Sequence, residues 1–385
     1  MIFSDKYIDY SSKTKKELRQ ALILFSLLSN KIVVKIGNYL LKITLRLHLP
    51  VLFIIKKTIF KHFCGGENIL DSQAKINELG QHKIETILDY SVEGKNDLKS
   101  LKNTYEEILR NLDEANKNSL IPFSVFKFTG LVRFDLLKKI NAKEQLNKTE
   151  QNELKIFKTR LNHICQKAKN IKIPILIDAE ESWIQDAIDE LTEELMEKYN
   201  KSEIIVFNTI QLYRWDKLKY IKELHNKAKS KKFKLGLKLV RGAYMEKERN
   251  WSQRNNKKCV IHKTKKNCDQ DYNNAVKYCI DNIQDMGLCF GTHNEDSTDL
   301  ILQLMKEKGI ENNDKRIYFS QLLGMSDNIS FYLSYFNYNV AKYVPYGPIR
   351  EVIPYLIRRV EENSAITGQT KSEIKRLKKA LNKKT

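Results

Sequence analysis

From residue 120 onward, short apolar runs alternate with longer segments that carry apolar residues at helical spacing. The runs are "IPFSVFKFTGL" (121–131), "IPILIDAE" (173–180), "EIIVFNTIQLY" (203–213), "KLGLKLVRGAY" (234–244), "GLCFGTHN" (287–294), "RIYFSQLLG" (316–324) and "NVAKYVPYG" (339–347). Runs of Ile, Val, Leu and Phe without polar alternation fit strands buried on both faces. Segments such as "ESWIQDAIDELTEELMEKYN" (181–200) and "QDYNNAVKYCIDNIQDM" (270–286) fit the amphipathic helices that cover them. This alternation predicts an α/β fold with a parallel sheet, either a (β/α)8 barrel or an open doubly wound sheet. Seven strands are evident and an eighth is not.

The polar residues separate the two folds. Nearly every run ends on a residue that costs free energy to bury: Lys127, Asp178, Gln211, Arg241, His293, Gln321 and Tyr343. An open sheet needs such residues only beside its switch point, whereas a barrel gathers every strand's C-terminal end around one mouth. No G-x-G-x-x-G follows a strand, which removes support for a Rossmann dinucleotide site. The expectation is a (β/α)8 barrel over 119–366 behind an N-terminal helical region (1–118), with a basic tail at 367–385.

With 68 Lys+Arg against 47 Asp+Glu, the chain of 385 residues carries a net charge of +21. Such an excess can serve nucleic-acid or anionic-membrane binding. The lysines are dispersed, however, and the abundance of Lys, Ile and Asn throughout reads as compositional drift. Six cysteines without a C-x-x-C pair point to a reduced, cytoplasmic chain. Cys259, His262 and Cys268 fit no common zinc spacing, and no metal is expected. The apolar stretches 21–30 and 51–55 are interrupted by charge before reaching the roughly 18 residues of a spanning helix. They are read either as helices packed on the domain or as a peripheral attachment to the inner membrane face.

The helix that follows the last strand holds the most unusual pattern, "YGPIREVIPYLIRRVEEN" (346–363). At 100° per residue, Tyr355, Arg358, Arg359 and Glu362 share an arc of about 100°, while Leu356, Ile357 and Val360 are left to pack on the barrel. Paired guanidinium groups near a barrel mouth suit a carboxylate, and Glu362 can steady either fork. Pro354 is expected to kink or restart the helix.

"KLVRGAYMEKER" (238–249), "GTHNEDS" (291–297), "FSQLLGMSDNISF" (319–331) and "YVPYGPIREVIPYLIRRVEEN" (343–363) together resemble the proline dehydrogenase family. "LDYSVEG" (88–94), "FKFTGL" (126–131) and "LIDAEESW" (176–183) extend the resemblance, with the motifs in order from about 56 to 366. It implies a flavoprotein built on a (β/α)8 barrel that oxidises L-proline to pyrroline-5-carboxylate, with FAD as first electron acceptor and a quinone as the next. Carried over residue by residue, it makes Arg358, Arg359 and Lys127 the carboxylate clamp, steadied by Glu362. Tyr343, Tyr355 and Leu322 would surround the substrate ring. Asp178 would be the essential carboxylate, orienting neighbouring cations, and Lys238 the cation beside flavin N5. Many bacterial relatives have arginine at the position of Lys238; lysine keeps the charge and loses the planar fork. Ala179, Gln211, Arg241, Gly242, Ala243, Thr292, His293 and Asn294 would contact the flavin. The bulk of Tyr343 favours proline over 4-hydroxyproline. Since the chain stops at Thr385, the resemblance is to the monofunctional members. Two other readings stay open: a non-catalytic basic barrel that binds nucleic acid or anionic membrane, and a flavin oxidoreductase acting on another amine such as hydroxyproline.

Overall fold

A computed structural model describes residues 3, 14–30, 32–37, 52–92, 97–365 and 367–383, with backbone alone over 361–372. Eight parallel strands close into one barrel in sequence order: β1 (Glu85–Tyr90), β2 (Ser124–Phe126), β3 (Ile175–Ile177), β4 (Val206–Gln211), β5 (Leu235–Val240), β6 (Met286–Gly291), β7 (Ile317–Leu322) and β8 (Val340–Tyr346). The barrel shuts where β1 pairs β8 in a register from Glu85 opposite Ala341 to Tyr90 opposite Tyr346. Helices between the strands bury one stripe on the barrel, as Leu191 and Leu195 do for the helix Ser182–Tyr199. All seven apolar runs hold a strand.

The eighth strand is β1, and it corrects the expected boundary at 118/119. "ETILDY" falls inside the region read as helical, so the barrel begins before it. Only Ile87 and Leu88 are aliphatic in this segment, and Glu85, Thr86 and Asp89 hide its strand character.

Side chains alternate across the pleat, so every second residue of a strand points into the barrel. Ile87, Val125, Leu176, Cys289 and Ala341 fill the interior with Phe123 and Phe207. The next inward residues toward the C-terminal mouth, two positions on in four of these strands, are Asp89, Lys127, Asp178 and Tyr343. Apolar layers thus form the floor of a charged upper layer.

The chain ends pack where the sequence did not foresee. The arginine-bearing helix (Ile349–Ala365) runs through Pro354. Its apolar residues Val352, Tyr355, Leu356 and Val360 join Leu28, Val34, Ile55, Phe60 and Phe63 of the N-terminal segments, with Met325 from the turn after β7. The expected barrel contact is therefore largely a contact with the N-terminal helices. The stretch read as a tail forms a second helix (Thr367–Lys383), whose Leu377 and Ala380 pack on Leu18 and Phe25 of the helix Lys15–Leu28. Among the described residues, no helix is long and apolar enough to cross a membrane.

Candidate active site

Five strands bring their polar ends together inside the barrel mouth. Lys238 on β5 and Asp178 after β3 form an ion pair, each side chain largely buried. The Lys238 Nζ also donates to the Tyr343 hydroxyl at 2.7 Å, and that hydroxyl donates to Asp178 Oδ1 at 2.9 Å. The ammonium lies 4.4 Å from the Tyr343 ring centroid. Lys127, after β2, stands between two carboxylates, 3.5 Å from Asp178 Oδ2 and 3.9 Å from Asp89 Oδ1. Ser91 Oγ donates to Asp89 Oδ2 at 2.7 Å and fixes that second carboxylate.

The electrostatics follow from this packing. Burial opposes ionisation of Asp178, but the charges of Lys238 and Lys127 and the hydrogen bonds from Lys238 and Tyr343 outweigh it. The carboxyl is held below its ordinary range and stays ionised at neutral pH. Burial first, and then the negative charges of Asp178 and Asp89, push the Tyr343 phenol well above its usual value, so it remains a donor. A carboxylate this stabilised is a poor proton acceptor, in keeping with an orienting role.

A second group lines the β4–β6 side. Gly242 takes φ +133°, and a Cβ there would come within 2.6 Å of the Tyr213 ring, so the turn after β5 requires glycine. Gly242 and Ala243 are exposed, and the Ala243 N–H donates to Gln211 Oε1 at 3.4 Å. Arg241 donates to Asp269 at 2.7 Å, to Thr292 Oγ1 at 2.9 Å and to Ser297 Oγ at 2.9 Å, with its guanidinium 4.4 Å from the Tyr272 ring centroid. Thr292 is buried, and Asn294 caps the helix Glu295–Glu307 by accepting from Ser297 N–H at 2.8 Å. His293 shares a hydrogen bond with Ser326 Oγ at 3.1 Å. Burial, followed by the charges of Lys342, Arg359 and Arg241, pushes its pKa down to about 3, so the imidazole is neutral.

The loop after β3 is clamped from several sides. Gln211 Nε2 donates to the Glu180 carbonyl at 2.8 Å, and the Glu180 N–H donates to Gln185 Oε1 at 2.7 Å. Ala179, between Asp178 and Glu180, is buried. The Glu180 carboxyl accepts from Thr129 N–H at 3.1 Å and from its hydroxyl, and burial raises its pKa to about 8.

The arginine-bearing helix (Ile349–Ala365) meets this mouth on the β6–β8 side. Arg359 is buried with its guanidinium 5.2 Å from the Tyr355 ring centroid, and it is close enough to His293 to disfavour a second charge there. Arg358 is half-buried. Leu322 pairs with Tyr343 across β7 and β8 and touches both the barrel interior and the cluster around Tyr355. The side chain of Glu362 lies outside the described residues.

Sequence reasoning overlooked Asp89, although "LDYSVEG" contained it; its signal was its place two residues after the inward-facing Ile87. It also overlooked Lys342, which is fully buried on β8 and bound to Met325 O at 2.6 Å and Asp327 Oδ1 at 2.8 Å. Gln321, expected at the mouth, instead joins the Thr292 carbonyl (3.3 Å) to the Ser330 hydroxyl (2.8 Å) and serves the scaffold. Among the described residues, no group of three or more His, Cys, Asp or Glu side chains is placed to hold a metal ion.

Comparison with known proteins supplies the last element. The chain is 34% identical over 381 residues to proline dehydrogenase 1, mitochondrial, of Dictyostelium discoideum, covering 85% of this chain and 66% of that protein. It is 29% identical to the carbapenem antibiotics biosynthesis protein CarD of Pectobacterium carotovorum subsp. carotovorum, over 98% of this chain and 97% of that one. In fold it resembles proline utilization A (PutA) of Bdellovibrio bacteriovorus, with a TM-score of 0.73 at 19% identity over 92% of this chain and 38% of that one. A sequence model described as proline dehydrogenase matches residues 72–372, and the chain belongs to the proline dehydrogenase family.

Proposed function

We propose that the chain binds FAD along the β4–β6 rim and oxidises L-proline to pyrroline-5-carboxylate. The residues of this rim fit such a group. The exposed backbone of Gly242 allows close approach, Lys238 and Arg241 supply positive charge, and neutral His293 has both donor and acceptor capacity. A flavin held there would supply the two-electron acceptor for a hydride from the carbon next to the proline nitrogen.

The chain's own groups do the rest. Arg359, Arg358 and Lys127 hold the substrate carboxylate by charge-assisted hydrogen bonds, each contributing about 1.5–3 kcal/mol. The same cations disfavour a substrate ammonium, so proline is bound as the free amine, its proton left to bulk solvent on entry and before the C=N bond forms. Asp178 stays ionised and keeps Lys238 and Lys127 in position. Lys238, buried and therefore weakly screened, stabilises negative charge arriving on the acceptor. Tyr343 and Leu322 keep water from the reacting carbon, and the phenol, held by two partners, crowds a ring hydroxyl such as that of 4-hydroxyproline.

Electrons then pass to a quinone at a membrane surface. Support for this comes from exposed Ile23, Leu27, Phe53 and Ile54 on the N-terminal helices, in the company of Lys56, Lys57 and Lys61. Full-length protein that stays in the supernatant with anionic vesicles at low salt would count against this part.

The observation that carries the proposal is the Asp178–Lys238–Tyr343–Lys127 cluster in the mouth of a barrel of this family. The purified protein should absorb at about 450 nm and bleach when L-proline is added without oxygen. A colourless protein whose binding to DNA weakens with salt would favour the basic-barrel reading instead.

A further inference from the structure

Tyr343 lies inside the barrel, and the arginines stand on the helix Ile349–Ala365 outside it, so something must set the distance between them. The link is the stretch 345–349, and a segment about 280 residues earlier holds it. Gly65 N–H donates to Pro345 O at 2.9 Å, and Gly347 N–H donates to Gly66 O at 3.1 Å. Gly66 forms a parallel bridge with Tyr346. Ile349, the first residue of the arginine helix, donates its N–H to Glu67 Oε2 at 3.2 Å. Pro348, just before that helix, has no side-chain acceptor, so Glu67 provides the cap that the local sequence lacks. Its charge also suits the positive end of the helix dipole.

The same segment grips the neighbouring turn. His62 Nε2–H donates to Gly324 O at 3.2 Å, in the turn whose Ser326 meets His293. Phe60, Phe63 and Cys64 share a core with Val352, Tyr355 and Leu356. The strap leaves no room for a side chain: a Cβ on Gly66 would fall 2.5 Å from Asp71 Cβ.

We propose that residues 60–67 are a positioning strap for the substrate-binding helix, with Glu67 as a positioning residue that sets where Arg358 and Arg359 meet the substrate carboxylate. This rests on the proline reading above. The carboxylate of Glu67 bonds the Ile349 N–H and Lys56 and none of the residues placed in the substrate or flavin site, so its loss should weaken substrate capture and spare chemistry.

The test compares wild type, Glu67→Ala and Glu67→Gln as full-length flavin-loaded protein, with L-proline as substrate and amide hydrogen exchange as a second readout. Glu67→Ala should raise KM about tenfold with kcat within about twofold, unchanged flavin content and faster exchange at Ile349. Glu67→Gln keeps an acceptor and loses the charge, so KM should rise about threefold. If Glu67→Ala does not fold, the Gln variant carries the test, and an unchanged KM there overturns the proposal. A fall in kcat and flavin content alongside the rise in KM in both variants would also overturn it, as the sign of general destabilisation. A wild type that oxidises proline while Glu67→Ala keeps its KM defeats the strap alone. A wild type that leaves proline untouched defeats the functional reading and takes the strap with it.

Discussion

Asp178 and Arg359 mark two regions of one mouth that are held in place by different physics. Asp178, Lys127, Asp89 and Tyr343 sit one pleat above apolar interior residues, so strand periodicity and barrel closure fix them. Arg359 stands on a helix whose buried face rests on Phe60, Phe63 and Leu28, and whose first N–H is capped by Glu67. The inner group is set by local sequence and register, the outer one by a remote segment. Inner residues should therefore fail abruptly, through uncompensated buried charge, and outer ones gradually, through shifts in affinity.

The largest effect is expected at Asp178. Asp178→Ala leaves the buried Lys238 without its paired carboxylate, which should cost about 3–5 kcal/mol of stability and abolish turnover. Denaturant midpoints measure the first and proline-dependent flavin bleaching the second; a variant of wild-type stability would show that the cluster is better solvated than its burial implies. Tyr343→Phe keeps the ring and removes the bridging hydroxyl, so kcat/KM should fall about tenfold with a milder loss of stability. Equal rates in the two proteins would demote the phenol to packing.

Smaller effects should emerge with pH, and they run in opposite directions. His293 has its folded pKa depressed to about 3, so below its unfolded value near 6.5 the unfolded chain binds the extra proton. Its contribution is intact above that value and is lost as pH falls toward 3. Glu180 is the reverse: with a folded pKa of about 8 against 4.5, its contribution is full below 4.5 and lost as pH rises through 8. His293→Gln should flatten the acid limb of a stability-versus-pH curve, and Glu180→Gln the alkaline limb. Unchanged limbs would mean that water reaches these groups.

The same contrast decides what could be read from sequence. The inner residues were legible because a strand's last inward residue follows its apolar neighbour by two positions, as Asp178 follows Leu176 and Lys127 follows Val125. β1 escaped because Glu85 and Asp89, both on its inward face, interrupt the apolar run that marks the other strands. Asp89 escaped with it. The identity of the arginine helix was plain, but its surroundings were not. Leu356 and Val360 signal only that some apolar partner exists, and nothing local says that it is Phe60 or Leu28 rather than the barrel. The C-terminal helix was misread for a related reason. Ile374, Leu377 and Leu381 have helical spacing, but the lysines among them read as a solvated tail until Leu18 and Phe25 supplied a partner.

The claim that both regions act on one substrate molecule is tested most directly by pairing a mutation with a missing carboxylate. Wild type and Arg359→Met would be compared on L-proline and on pyrrolidine, which lacks the carboxylate. The account predicts a loss in kcat/KM of about ten- to a hundredfold for proline and almost none for pyrrolidine. An equal loss on both would contradict it, because Arg359 would then support the fold or the flavin and not the acid group of the substrate.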